Sequence, residues 1–172
     1  MNIKIVKKID DPFLKSEWER LEVEADVFPQ STYDWCATWW KHLAGRRKPH
    51  VVMVLDEDGK ALGIAPLCIE GHLWIRLLRS FPVNYGDYFQ ILVSKKANEE
   101  EVIDTLYNYI RQYSHWSVVI LTPVNDSSSL YNYLYNKSVP AKHLIGNIVT
   151  NIAYSNWDEY IKDLSHNRRR LT

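Results

Sequence analysis

A chain of 172 residues is long enough for one ordinary domain whose core needs neither disulfides nor metal. Its 21 basic and 21 acidic side chains cancel, so no global field draws in nucleic acid or an anionic membrane surface. No apolar run approaches the length of a membrane span, and the first nine residues, with three lysines, do not read as a signal peptide. Cys36 and Cys68 lie far apart in no motif, which fits two inert thiols in a cytoplasmic protein. Seven Trp and eleven Tyr against four Phe give an aromatic content weighted toward side chains with polar tips, which suit clefts as well as cores.

In chain order, Asn2 to Ile9 alternates as a short strand. Asp11-Pro12 then opens a helix with Leu14, Trp18, Leu21 and Ala25 on its buried stripe. Phe28-Pro29-Gln30 breaks it. Ser31, with Asp34 three residues on, reads as the cap of a second helix, which presents Trp35, Trp39 and Leu43 on one face with Cys36 and Trp40 beside them. Gly45 ends that helix and an exposed Arg46-Arg47-Lys48 is expected to follow. A meander comes next: a strand at Val51–Leu55, a turn at Asp56–Gly59, and a strand from Ala61 to Glu70 interrupted by Pro66, which implies a bulge or an unpaired edge. Gly71-His72 reads as a tight turn, Leu73–Arg79 as the return strand, Phe81–Gly86 as irregular, and Asp87–Val93 as a further strand.

The remainder alternates. Asn98 with Glu101 starts a helix carrying Val102, Leu106, Tyr109 and Tyr113 on one face. The apolar run Val118–Leu121 predicts a central strand covered on both sides and parallel to Asp87–Val93. Asp126 caps a short helix near Ser127–Lys137, and His143–Tyr154 is a long strand. Ser155 to Thr172 reads as a helix that opens well, with Trp157, Ile161 and Leu164 in register, and runs through Arg168-Arg169-Arg170 without a closing Gly, Asn or Pro. The expectation is that sequence is missing beyond it. Together the order predicts an α/β fold in which one mixed sheet is flanked by helices on both faces.

The six histidines show no metal-ligand spacing, and no phosphate loop, dinucleotide fingerprint or nucleophile elbow is present. No glycine occurs between Gly86 and Gly146. The turn that would cradle a phosphate, Ser94 to Glu101, instead carries Glu99, Glu100 and Glu101 in the first helical turn. Those side chains stabilise the helix dipole and repel an arriving phosphate. Lys95 and Lys96 offset part of that charge.

Four segments in order carry a resemblance. Phe28-Pro29-Gln30-Ser31 leads to Trp35 and Trp39-Trp40; Gly63-Ile64-Ala65-Pro66-Leu67 follows; then Asp87-Tyr88; and finally Trp157 to Arg169. With the element order, these resemble the CelD/BcsL-type proteins, FemABX relatives within the GNAT acyltransferase superfamily, with one extra strand at Leu73–Arg79. Such proteins contain two GNAT-like halves, and the second is thought to hold the acyl donor. The resemblance implies that residues 1–154 are an N-terminal, non-catalytic GNAT-like half and residues 155–172 the first helix of the second. It implies no cofactor bound by this chain alone, with acetyl-CoA or another acyl donor belonging to the full-length protein. The expected partners are that second half, or self-association through the C-terminal helix, and a small amine or sugar acceptor.

No catalytic residue is assigned. Tyr85, Asp87 and Tyr88 sit where irregular chain passes into a strand, placing a carboxylate and two phenols at a sheet end to orient an amine or hydroxyl. Trp39 and Trp40 are candidate walls of that site, although a Trp stripe at helical spacing also reads as plain core. Arg168 and Arg169 are candidates for contact with a phosphate-bearing ligand or with the second half. A stand-alone GNAT-like binding or scaffolding module without transferase activity is the alternative.

Overall fold

The structure, a computed structural model, describes residues 1–72, 75–82, 88–112, 116–142 and 157–163. The chain divides into two compact units, Met1–Ala141 and Lys142–Thr172.

The first unit begins with β1 (Asn2–Val6) and α1 (Pro12–Glu24). As the sequence predicts, Asp11 caps α1 by accepting hydrogen bonds from the amides of Phe13 and Leu14, and Leu14, Trp18 and Leu21 are buried. A turn of 3₁₀ helix at Pro29–Ser31 leads into α2 (Tyr33–Leu43). Its cap is Thr32 rather than Ser31, because Ser31 is buried in the preceding turn, where its carbonyl accepts the indole N–H of Trp18 at 3.0 Å. This choice rotates the helix. Tyr33, Cys36 and Trp39 face the core, whereas Trp35 and Leu43 are exposed.

The strands follow: β2 (Lys48–Pro49), β3 (Val51–Leu55), β4 (Ala61–Ala65), β5 (Leu67–His72), β6 (Ile75–Ser80) and β7 (Leu92–Val93). They precede α3 (Glu99–Gln112), β8 (Val118–Ile120) and α4 (Ser129–Asn136). Hydrogen bonding groups the strands as β1-β3-β4-β7 and β2-β5-β6-β8. The two groups share one register, since Val52↔Ala65 and Pro49↔Cys68 lie on the same alignment and His50 N–H reaches Leu67 O across the junction. Pro66 has no amide hydrogen, so the ladder lapses there and resumes on the other side.

The strand at 75–80 is not an extra one beside the others. Leu67 pairs with Ser80 and Gly63 with Val93, so four residues along one side answer to thirteen along the partner. β6 and β7 are thus two pieces of a single strand position. The Gly71-His72 turn is also displaced, for both residues belong to β5 and His72 pairs with Ile75.

Among the described residues β8 is the outer strand of its group and runs parallel to β6. Just beyond it, Val124 meets Phe89 of the 88–93 segment at one bridge, parallel as expected. A central position for Val118–Leu121 would need a neighbour on its other side, and the strand expected at 143–154 lies outside the described residues. Asp126 does not cap α4; Ser128 does, accepting the Tyr131 amide.

Two apolar clusters lie on the two faces of the strand layer. On one, α1 and α2 bring Leu14, Trp18, Cys36 and Trp39 onto Val51, Met53, Ile64 and Phe81. On the other, α3 and α4 bring Val102, Leu106, Leu130 and Tyr133 onto Val52, Val54, Leu67 and Leu78. Each such large side chain contributes about 1.5–3 kcal/mol by burial. The mixed α/β architecture with helices on both faces is as the sequence predicts.

The second unit contains α5 (Trp157–Asp163), with Asp158 and Glu159 in its first turn and Lys162 in its last. The expected Ser155 cap, the Leu164 end of its apolar stripe, and the strand expected at 143–154 lie outside the described residues.

Gly63 marks where α3 approaches the sheet most closely. A Cβ there would sit 2.5 Å from Val102 Cγ1 and 3.3 Å from Leu92 O. Gly63→Ala should therefore cost about 1–3 kcal/mol by overpacking. Pairing it with Val102→Ala should cost less than the two single effects summed, as measured by denaturant unfolding.

Candidate functional site

The excursion, residues 81–88, follows Ser80, whose side chain is buried. The Ser80 hydroxyl donates to Thr122 O and accepts from Thr122 N–H, both at 3.0 Å, replacing the ladder that ends there. Phe81 N–H still reaches Pro66 O at 3.1 Å, and the Phe81-Pro82 and Thr122-Pro123 peptides are both cis. The chain returns at Phe89, whose N–H donates to Pro123 O.

Aromatic rings flank both ends. At the departure, Phe81 stacks on Trp39 with centroids 6.0 Å apart and receives Trp40 edge-on at 5.2 Å. At the return, Tyr88 lies 5.5 Å from Phe28. The Gln90 side chain fastens the α1–α2 connection here, accepting from Phe28 N–H at 3.1 Å and donating to Asp26 O at 2.7 Å. Of the sequence-predicted residues, Trp39 and Trp40 thus gather on Phe81, and Tyr88 separately on Phe28. Trp39 is core as well, almost fully buried. Tyr85, Asp87, Arg168 and Arg169 lie outside the described residues.

Beside this site stands a charged trio that sequence reasoning did not single out. Glu70 on β5 accepts from Arg47 at 3.2 Å and from Arg79 on β6 at 2.9 Å. Arg47 also donates to Ala44 O at the end of α2 and lies over the Trp39 ring, 5.9 Å from its centroid. Burial alone would raise the Glu70 carboxyl, but the Arg79 hydrogen bond and the two guanidinium charges together hold it below the usual carboxylate range. Cys68 lies in register with Arg79, and burial pushes its thiol up to about 12, so it is no nucleophile. Alternation on β5 and β6 puts Glu70 and Arg79 on one face, but only the pairing register makes them neighbours.

On the opposite face, α3 satisfies its own first turn. The Asn98 side chain accepts from the amides of Glu100 at 3.1 Å and Glu101 at 3.4 Å, and donates to the Glu101 carboxylate at 3.2 Å. The Asn98 cap expected from the sequence is in place, with Glu101 bonded to the Asn98 side chain rather than to its backbone amide. His50, also buried, meets the Tyr109 hydroxyl at 2.9 Å, a pairing the sequence did not signal. Among the described residues no group of three or more His, Cys, Asp or Glu could hold a metal ion, and no helix is long and apolar enough to cross a membrane.

No family model matches this sequence, and no curated protein does. Solved structures do match. A "probable acetyltransferase" aligns over 90% of this chain and 100% of its own, with a TM-score of 0.51 at 14% identity. A "putative acetyl transferase" from Pyrococcus furiosus aligns over 87% and 100%, also with 0.51 at 14%. A Bacillus halodurans protein aligns over 87% and 99%, with 0.50 at 10%. The chain has the fold of GNAT-type acetyltransferases.

Two outcomes follow from this geometry. Ser80→Ala leaves the partly buried Thr122 backbone groups without this partner and should cost about 1 kcal/mol in unfolding free energy. Glu70, with its folded pKa below the unfolded value, stabilises the fold fully above the unfolded carboxyl pKa of about 4.3. That contribution is lost as pH falls through the lower folded value. Glu70→Gln should therefore flatten the stability-versus-pH curve below about pH 4.3.

Proposed function

We propose that this chain is the N-terminal, non-catalytic half of an acyl- or aminoacyltransferase of the GNAT type, and that it shapes the acceptor site. The observation that carries the reading is the start of α3. Its amides, which would otherwise meet a pyrophosphate, are occupied by Asn98, and Glu99, Glu100 and Glu101 surround them. A chain built this way leaves the acyl donor to another domain.

The acceptor belongs at the excursion. Trp39, Trp40 and Phe81 form one wall and Tyr88 with Phe28 the other. In this reading Asp87, with Tyr85 and Tyr88, orients the amine or sugar hydroxyl, while Arg168 and Arg169 meet a phosphate-bearing ligand or the donor-holding half. A cytoplasmic location fits two buried free thiols.

A self-contained binding module is the second reading. It is favoured by the fact that this chain alone spans the whole length of its structural neighbours. The gene's reading frame beyond Thr172 separates the two.

Calorimetry with acetyl-CoA should show no binding to this chain tighter than about 100 μM, or roughly −5.5 kcal/mol. A micromolar dissociation constant abolished by Lys95→Ala and Lys96→Ala would overturn the non-catalytic assignment.

A further inference from the structure

The trio of Arg47, Glu70 and Arg79 has too few acceptors. Two guanidinium groups share one carboxylate, which leaves a net positive charge in a half-buried place. The sharing is also imperfect. Arg47 approaches Glu70 at 3.2 and 3.3 Å, long for charge-assisted bonds, which are usually about 2.7–2.9 Å. Arg79 reaches it through one terminal nitrogen only, so the edge of its fork that includes Nε is unused.

Two buried donors in this neighbourhood have no hydrogen-bond partner among the described residues: Arg79 Nε and Trp39 Nε1. They belong to one assembly. Trp39 lies under Arg47, Arg47 is bonded to Glu70, and Glu70 to Arg79. Trp39 also stacks on Phe81, two residues beyond Arg79. A buried N–H left unpaired costs about 1–3 kcal/mol. An indole and a guanidinium can only donate. A group that completes the site must bring acceptor oxygens, and the surplus positive charge favours one that is negatively charged.

We infer that Trp39, Arg47 and Arg79 form a binding site for an oxyanion, the carboxylate or phosphate of a small ligand, with Glu70 as the internal carboxylate that holds the place. Glu70 retains about a third of its side-chain exposure, 31%, so it can swing outward as the anion takes the Arg79 fork. The site adjoins the departure end of the excursion through the Trp39–Phe81 stack. On the acceptor-site reading above, it makes the acceptor an anionic molecule, one that carries this oxyanion apart from the amine or hydroxyl that reacts. The anion site itself does not depend on that reading.

The test is nitrogen–proton NMR of the whole chain, following the indole signal of Trp39 (assigned with Trp39→Phe) and the Nε signal of Arg79. Acetate and inorganic phosphate are titrated separately at constant ionic strength, with chloride as control. Both signals should move together and saturate with one dissociation constant for acetate, for phosphate, or for both, which also tells the two chemistries apart. Arg79→Lys keeps the charge but loses the fork, and should weaken binding at least about tenfold. Glu70→Ala removes the internal competitor and should tighten it. The remaining spectrum reports that each variant is folded. No saturable shift with either anion, an unchanged affinity in Arg79→Lys, or weaker binding in Glu70→Ala would overturn the proposal. Saturable anion binding in a chain that also binds acetyl-CoA at micromolar concentration would leave the anion site standing and remove the non-catalytic assignment.

Discussion

A strand that leaves its sheet abandons backbone N–H and C=O groups that water cannot reach, and each must find another partner. The rest of this fold depends on how that constraint is met at Ser80. The hydroxyl there stands in for a missing residue of ladder, giving to and taking from the same Thr122 peptide unit. With the gap sealed, the pairing can end at Ser80 and resume at Phe89 while Phe81 and Phe89 each stay within an apolar cluster. The aromatic walls of the candidate site exist because the excursion has fixed ends to build on.

Pro66 plays the complementary part on the neighbouring strand. It interrupts the ladder without shifting it, so residues on either side keep their faces. That continuity sets Cys68 and Glu70 on the same side as the α2 aromatics, and hence lets Glu70 stand between Arg47 and Arg79. A one-residue slip would have delivered Glu70 to the face covered by α3 and α4, where the packed side chains are apolar. The charged trio is thus a product of register more than of any local preference.

This division explains what the sequence reveals and what it hides. Features decided by a few adjacent residues are legible: the Asp11 cap with Pro12 behind it, the Asn98 cap with Glu101 bonded to it, and the turn at Asp56–Gly59, where Gly59 adopts φ +81°. So are the Leu14, Trp18 and Leu21 stripe and the class of fold. Features decided between distant segments are not. Thr32 displaces Ser31 as a cap because Trp18, thirteen residues before Ser31, claims the Ser31 carbonyl. The Val118 run takes β6 as its parallel neighbour, a pairing no local pattern announces. The split of one strand position into β6 and β7 leaves no mark on composition at all. In the candidate site, Trp39, Trp40 and Tyr88 stand out in the sequence as aromatics, whereas Phe81, Phe28 and the Arg47–Glu70–Arg79 trio come into view only with the pairing.

The start of α3 has a consequence for how this domain relates to its ligands. A helix whose first amides stay bare until a ligand arrives ties its folding to ligand supply, since whatever binds only the native state adds stability by mass action. Here Asn98 and Glu101 close that end from within the chain. The first turn of α3 thus pairs its Glu100 and Glu101 amides within the chain, and this end of the helix can form with no ligand beside it.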